Sequence, residues 1–365
     1  MSQYSLFGSQ ASLFTGKARG YLRWKKLDFV EHAVTKKIME EVILPNVGWP
    51  VIPVLQLPNG QIVQDTVDII AHVENVTTGP SVMPKGPIQQ LVSLLLQLYA
   101  DEWLTIPAMH YRWNYNEEWI YSEFGRSSAP DASPEEQYRL GKERGQHFRG
   151  FVPLMGINED TIPGIERAYE SFLTDFSKHL EQHRYILGDR PSLADFALLG
   201  PLYAHLYRDP ASGEIMKRLA PRVAQWTERT IAGGTAEDGL LVNADIIPET
   251  LIPILTRHME EHLPVLTEMN NMLAKWAISA EPDEELPRRF EMTPFTTGGS
   301  SGMCMSKSFS LLRLQAVLDC IAELPEQSRA AANELLTKIG GAALLEFKLS
   351  HRLERRDCLL KLANP

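Results

Sequence analysis

The sequence predicts an α/β domain at residues 1–80, an all-helical domain at 87–235 and a helical extension at 236–365. Three observations support this fold class. Short apolar, partly β-branched runs alternate with helical segments over the first 75 residues or so, which is typical of an α/β layer. A Pro- and Gly-rich linker at 79–87 then ends the alternation, and from residue 88 onwards leucines recur at helical spacing.

The first half of the α/β domain has the order strand, helix, strand, helix. We expect a strand at Tyr4–Phe7, a helix at Lys17–Lys26, a second strand at Asp28–Ala33 and a short polar helix at Thr35–Val42. A crossover of this kind joins two parallel strands and is right-handed.

The second half is the segment Gly48–Glu74, which predicts strand, tight turn, strand and helix. Pro58-Asn59-Gly60 has turn chemistry, because it combines a fixed φ, a residue that tolerates the left-handed region and a residue without Cβ. Asp65-Thr66 opens the last helix, with Thr66 as the expected N-cap and Asp68 near the positive helix end.

Pro53 lies inside the third predicted strand, where it cannot donate a ladder hydrogen bond. One interpretation is a cis Ile52–Pro53 bond at an outward turn, which leaves the N–H and C=O of Ile52 free to pair with an extended peptide. The alternative is a trans proline on an edge strand.

The helical domain contains the string LGDRPSLADF at 187–196. Ser192 and Asp195 have the spacing of a capping box, in which side chain and main chain bond in both directions. Ile52-Pro53-Val54, Asp65-Thr66 and this capping string, in this order, resemble the glutathione S-transferases. The resemblance covers roughly residues 1–235 and implies a thioredoxin-like domain that binds glutathione, an all-helical domain and a homodimer.

The resemblance also implies site residues. The thiol-activating residue of the family follows the first strand. Lys17 matches the basic start of the family's first helix, and the residue five positions before it is Ser12, with Thr15 and Ser9 as alternatives. A hydroxyl that donates to the sulfur, together with a helix N-terminus, favours the thiolate. The expected glutathione-binding residues are Ile52, Pro53, Asp65, Thr66, Gln64 and Lys17.

Four aromatic residues, Tyr99, Trp103, His110 and Trp113, are candidates for the pocket of a small apolar electrophile. Aromatics at this spacing are also typical of a helical core. The predicted function is conjugation or transfer of the glutathione thiolate to such an electrophile. The alternative is a non-catalytic glutathione-binding or scaffold protein, which the long extension favours.

Composition excludes some partners and sets a compartment. The net charge of −10 disfavours nucleic acid and anionic membranes. The three cysteines form no CxxC pair or even framework, which fits a reducing cytoplasm. The sequence also has no secretory signal pattern and no apolar run long enough to span a membrane, so we expect neither.

The extension contains two short catalytic patterns, and we expect neither to act. His258–His262 fits HxxEH, but no third metal ligand is identifiable, so we expect a solvated helix face and no metal. Gly298–Gly302 fits GxSxG without the strand and helix of a nucleophile elbow. We therefore expect Pro294–Met305 to be a flexible loop, with Cys304 as an idle or buried thiol.

Overall fold

The computed structural model describes residues 3–235, 238–242, 245–356 and 358–363. The strands are β1 (Tyr4–Gly8), β2 (Phe29–Ala33), β3 (Val54–Gln56), β4 (Ile62–Gln64), β5 (Arg289–Thr297), β6 (Ser300–Lys307), β7 (Leu353–Arg356) and β8 (Leu359–Leu362). The helices are α1 (Leu13–Trp24), α2 (Lys36–Ile38), α3 (Leu44–Val47), α4 (Thr66–Val76), α5 (Pro87–Leu98), α6 (Thr105–Tyr115), α7 (Glu117–Ser128), α8 (Pro134–Arg149), α9 (Ile162–His179), α10 (Leu193–Pro201), α11 (Pro210–Leu219), α12 (Pro221–Ile231), α13 (Ile252–Ala277), α14 (Ser308–Ala322) and α15 (Glu326–Lys338).

The chain divides into two compact units. The first contains 1–82, 107–152 and 195–239, and the second contains 83–106, 153–194 and 240–365. Each unit combines segments from more than one of the predicted domains, because the units group residues that lie close in space and the predicted domains are continuous stretches of the chain. The predicted boundaries therefore stay a prediction. None of the described helices has both the length and the apolar character that crossing a bilayer demands.

The first unit contains a four-stranded sheet in the order β2-β1-β3-β4. β1 and β2 are parallel, whereas β3 is antiparallel to both β1 and β4. The predicted α/β layer and the order of its elements are confirmed. Helix α1 begins at Leu13, four residues before the predicted start, because Ser12 caps it.

The capping string at 187–196 leads into α10 as predicted. Ser192 and Asp195 are fully buried. The indole Nε1 of Trp226 donates to Asp195 Oδ1 at 3.0 Å, so this carboxylate also links α10 to α12. A buried carboxylate that lost this donor would carry a desolvation cost.

The second unit corrects the prediction of a purely helical extension. Its long helix α13 continues through Pro264, and it is followed by the antiparallel pairs β5–β6 and β7–β8. The expected flexible loop at Pro294–Met305 is wrong, because these residues form most of the β5–β6 hairpin. Its turn is Gly298-Gly299, with φ of 50° and 83°, a left-handed pair that matches the twist of a hairpin.

The prediction of a solvated HxxEH face is also wrong. His258 and His262 are 0% and 1% exposed, and their Nε2 and Nδ1 atoms lie 3.2 Å apart. Between them, Glu261 accepts from Trp103 Nε1 at 2.9 Å and from the Gly298 N–H at 3.1 Å. Burial lowers the pKa of His258 to about 3. Within the described ranges, no group of three or more possible ligands could hold a metal ion.

Candidate functional site

Strand register brings three candidate segments to one end of the sheet in the first unit. Phe7 of β1 lies opposite Val54 of β3, and Val54 lies opposite Gln64 of β4. The residues that follow β1, precede β3 and follow β4 therefore share this end. These are the loop Ser9–Ser12, the pair Ile52-Pro53 and Asp65-Thr66.

The loop Ser9–Ser12 is a compact turn that places Ser12 at the start of α1. The Ser12 N–H donates to the Ser9 carbonyl at 3.1 Å, and Ser9 Oγ accepts from the Ala11 N–H at 3.2 Å. Ser12 Oγ accepts from the Thr15 N–H at 3.2 Å, which makes Ser12 the N-cap. A hydroxyl that accepts one hydrogen bond keeps its own proton, so Ser12 can still donate to a sulfur atom.

The two alternative hydroxyls are less accessible. Thr15 is fully buried, and its Oγ1 lies 3.4 Å from the Ser9 N–H. Its methyl group packs so closely that a Cβ on Gly8 would come within 2.2 Å of it. Ser9 is 8% exposed. Ser12 is the candidate of the three that is only partly buried at the helix start.

Two buried arginines hold the carbonyls of this loop, and sequence reasoning missed both. Arg19 donates from Nη2 to the Ser9 carbonyl at 3.3 Å and pairs with Glu31 at 2.5 Å. Arg112 of α6 donates from Nη1 to the Ala11 carbonyl at 2.6 Å. The only sequence signal for Arg112 is a cation inside an aromatic helical run, and its partner Asp209 lies 97 residues further along.

The Ile52–Pro53 peptide bond is cis, as one of the two interpretations expects. Ile52 lies outside the strands and is partly exposed. Among the residues that the structure describes, none forms a main-chain hydrogen bond with its N–H or C=O. The main chain of Ile52 is therefore available to an extended ligand.

The start of α4 differs from the prediction in one detail. The N-cap is Asp65, not Thr66, because Asp65 Oδ1 accepts from the Val67 N–H at 2.8 Å. Asp65 has a φ of 77°, a conformation that costs a residue other than glycine about 1–3 kcal/mol. Strain of this kind is frequent at ligand sites. Thr66 is the first helical residue and is 3% exposed.

The remaining predicted residues are mostly interior. Gln64 is 8% exposed at the end of β4, and Lys17 is fully buried in α1. The four aromatic pocket candidates are each no more than 4% exposed. In the second unit, Tyr99 packs on Phe172 and His258, and Trp103 packs on His262 and Phe295. In the first unit, His110 packs on Tyr111 and Tyr115, and Trp113 packs on Tyr121 and Phe124. Contact of these side chains with a substrate stays a prediction.

Comparison with known proteins gives two family matches. The model of the glutathione S-transferase N-terminal domain matches residues 6–81, and that of the C-terminal domain matches residues 159–229. A search of curated proteins finds no match.

Several solved structures are similar. A glutathione S-transferase from Rhodospirillum rubrum F11 is 18% identical, with a TM-score of 0.41, over 68% of this chain and 97% of its own. A GST-like protein from Pseudomonas syringae is 16% identical, with a TM-score of 0.43, over 85% of this chain and 98% of its own. A glutathione S-transferase from Methylobacillus flagellatus KT with glutathione bound is 17% identical, with a TM-score of 0.38, over 64% of this chain and 100% of its own.

The two matched segments contain the elements that carry the site and its capping string. Residues 6–81 hold the Ser9–Ser12 loop, Ile52-Pro53 and Asp65-Thr66, and residues 159–229 hold Ser192 and Asp195. Residues 6–81 and 159–229 therefore match the N-terminal and C-terminal domains of the glutathione S-transferase family.

Proposed function

We propose that this protein is a glutathione transferase-like enzyme that delivers the glutathione thiolate to a small apolar electrophile. One observation carries the proposal. The Ser9–Ser12 loop, the free main chain of Ile52 and the start of α4 share one end of a four-stranded sheet. An extended tripeptide has a main chain for the sheet edge, a carboxylate for a helix start and a thiol for a hydroxyl, so its chemistry fits these three segments.

Each segment has its own duty in this proposal. The N–H and C=O of Ile52 pair with the peptide as an added strand does, with Pro53 fixing the bend. Asp65 and Thr66 hold the γ-glutamyl end at the N-terminus of α4, where main-chain N–H groups and the helix dipole attract a carboxylate. Gln64 and Lys17 contribute at the borders of the same site.

Ser12 is the catalytic residue in this proposal. Bound glutathione supplies the nucleophilic sulfur, and the Ser12 hydroxyl donates a hydrogen bond to it at the start of α1. A free thiol titrates near pH 8.5, and each unit of pKa lowering corresponds to about 1.36 kcal/mol. Tyr99, Trp103, His110 and Trp113 stay the proposed aromatic candidates for the electrophile pocket.

The proposal includes two family properties, a homodimer and a cytoplasmic location. The resemblance of residues 1–235 supports the first. The cysteine content supports the second, because three cysteines without a CxxC pair suit a reducing compartment. Sedimentation velocity of the full chain tests the dimer.

A non-catalytic glutathione-binding scaffold is the second candidate, and one observation favours it. The extension after residue 235 forms α13 to α15 and β5 to β8, and neither family match includes it. Calorimetric titration of the full chain with glutathione, followed by turnover of a generic aryl halide at pH 6.5, separates the two. Binding with turnover supports the enzyme, and binding without turnover supports the scaffold. No binding contradicts both.

A further inference from the structure

We propose that Arg112 is a positioning residue, which holds the Ser9–Ser12 loop so that the Ser12 hydroxyl faces the reacting thiol. The inference rests on the proposed function for the thiol but has its own structural readout. Arg112 Nη1 donates to the Ala11 carbonyl at 2.6 Å. This carbonyl belongs to the peptide group that joins Ala11 to Ser12, so the guanidinium holds the main chain directly before the catalytic candidate.

The guanidinium is itself held from several sides. Its Nε and Nη2 donate to Asp209 Oδ2 and Oδ1 at 2.7 and 2.8 Å, and Nη2 also donates to the Ala204 carbonyl at 2.6 Å. The Arg112 and Asp209 side chains are 3% and 0% exposed. A two-pronged, charged pair of this kind fixes both the direction and the distance of the arginine.

His205 completes the set of acceptors around this arginine. Burial, with help from the neighbouring guanidiniums, lowers the pKa of His205 well below its usual range. The ring is therefore neutral, and its Nε2 accepts from Arg112 Nη1 at 2.8 Å. Arg112 Nη1 thus connects His205 to the Ala11 carbonyl.

The position of Asp209 argues that this pair serves the loop. Asp209 is the N-cap residue of α11, where an aspartate ordinarily accepts from the N–H groups of its own helix. Here its side chain makes no capping hydrogen bond, and both carboxylate oxygens accept from Arg112 instead. The start of α11 therefore lacks a capping hydrogen bond from Asp209 that would stabilise it by about 1 kcal/mol, while the Ala11 carbonyl has a rigidly held donor.

Arg19 holds the other end of the same loop. It donates to the Ser9 carbonyl, which also accepts the Ser12 N–H. Two of the loop's carbonyl groups are therefore bonded to buried guanidiniums. Release of the Ala11 bond should free the Ser12 end of the loop while the Ser9 end stays held by Arg19.

The test uses the full chain with Arg112→Lys, Asp209→Asn and the control Arg139→Lys. Arg139 is a matched control because it also forms a two-pronged pair, with Glu136 at 2.7 and 2.8 Å, but on the exposed surface of α8. Lysine keeps the charge and loses the fork, and Asp209→Asn keeps Arg112 but loosens it. Both variants weaken the hold of Arg112 on the Ala11 carbonyl, so the test can still be made with one of them if the other does not fold.

Amide hydrogen exchange of the Ser12 and Thr15 N–H groups is the first readout. We expect exchange about tenfold faster or more in Arg112→Lys and Asp209→Asn, as loss of a charged hydrogen bond predicts, and no change in Arg139→Lys. Unchanged exchange at both amides in the two folded variants would overturn the inference.

The pKa of the bound glutathione thiol, from its thiolate absorbance against pH, is the second readout. A role in positioning Ser12 predicts a rise of about one unit in both variants, which is a tenfold loss of thiolate below the pKa. Faster exchange with an unchanged thiol pKa would also overturn the inference, because the arginine would then be only structural. If the wild-type chain does not bind glutathione, the proposed function fails, and the exchange result alone decides whether Arg112 holds the loop.

Discussion

Ser12 caps α1 and is also the proposed donor to the glutathione sulfur, and substitutions at Ser12 and Ser133 can separate these two roles. Ser12 caps α1 through the Thr15 N–H at 3.2 Å, and Ser133 caps α8 through the Glu136 N–H at 3.3 Å. Both serines use the same i to i+3 geometry, and both caps lie in the first unit. Ser133 lies far from the Ser9–Ser12 loop in sequence and has no proposed role in catalysis. It is therefore a matched control for the capping duty alone.

Alanine removes the capping oxygen at either position. Each cap satisfies one of the four N–H groups that a helix start leaves without a partner, so Ser12→Ala and Ser133→Ala should each lose about 1 kcal/mol in the free energy of unfolding. Only Ser12→Ala should raise the pKa of the bound thiol. A rise of one unit, or about 1.36 kcal/mol, reduces kcat/KM for conjugation about tenfold at pH 6.5.

Aspartate separates the two duties further. It caps a helix about as well as serine, so Ser12→Asp and Ser133→Asp should both keep the wild-type unfolding free energy within about 0.5 kcal/mol. At position 12, however, the carboxylate repels the thiolate, and we expect conjugation to fall more than in Ser12→Ala. Urea denaturation and the pH profile of kcat/KM provide the two measurements. Full activity in Ser12→Asp would refute the assignment of Ser12 as the residue that donates to the sulfur.

Three further perturbations test other elements. Asp65→Gly should change the unfolding free energy by less than about 1 kcal/mol, because the lost cap is offset by the ease with which glycine adopts a φ of 77°. Calorimetry should nevertheless show glutathione binding at least about tenfold weaker, and unchanged affinity would contradict a ligand role for Asp65. The free energy of unfolding should fall as the pH drops from about 6.5 towards 3. Burial lowers the pKa of His258 to about 3 and that of His262 well below its usual range. In this pH range the unfolded chain therefore takes up protons that the folded chain does not. Each histidine contributes up to about 1.4 kcal/mol per pH unit, and urea denaturation at several pH values should show a shallower slope in His258→Gln; an equal slope would contradict this cause. Gly298→Ala should lower the free energy of unfolding by about 2 kcal/mol more than Gly299→Ala, as measured by urea denaturation. The reason is that a Cβ at 298 lies 2.1 Å from a main-chain oxygen, whereas the nearest atom to a Cβ at 299 is 3.9 Å away. Equal losses would mean that only the positive φ of the two glycines matters.

Local signals account for the parts of the fold that the sequence predicted. The turn at Pro58-Asn59-Gly60 and the alternation of short apolar runs with helices depend on residues close together in the chain. The Ser192 capping motif is equally local. These features therefore predicted the order of the elements along the chain and the start of α10 without knowledge of tertiary packing.

The β5–β6 hairpin was missed because its composition was given more weight than its pattern. Thr, Ser and Gly dominate 296–302, which is also typical of a loop. A Gly-Gly pair between two runs is nevertheless a recognised hairpin signal, since both turn residues need φ above zero. Here the signal for a correct prediction was present in the sequence.

The support of the candidate site could not be predicted in the same way. The Arg112–Asp209 pair joins residues 97 positions apart, and neither neighbourhood shows which partner the other has. The burial of His258 and His262 could not be predicted for the same reason. Helix phase places the two rings on one face of α13, but it does not show which other segments cover that face. Packing between distant segments decides both cases, and sequence pattern does not report it.

The energetics of the Arg112–Asp209 pair explain why we assign it a positioning role and not a role in stability. Burial of two charges carries a desolvation cost that their attraction often only offsets, and apolar residues of similar volume can fill such a place at equal or greater stability. Burial indeed raises the pKa of the Asp209 carboxyl, although the Arg112 guanidinium opposes the rise. An apolar replacement, however, could not donate to the Ala11 carbonyl at 2.6 Å. The pair therefore supplies direction to the peptide group before Ser12, which is the property that a thiol-activating hydroxyl requires.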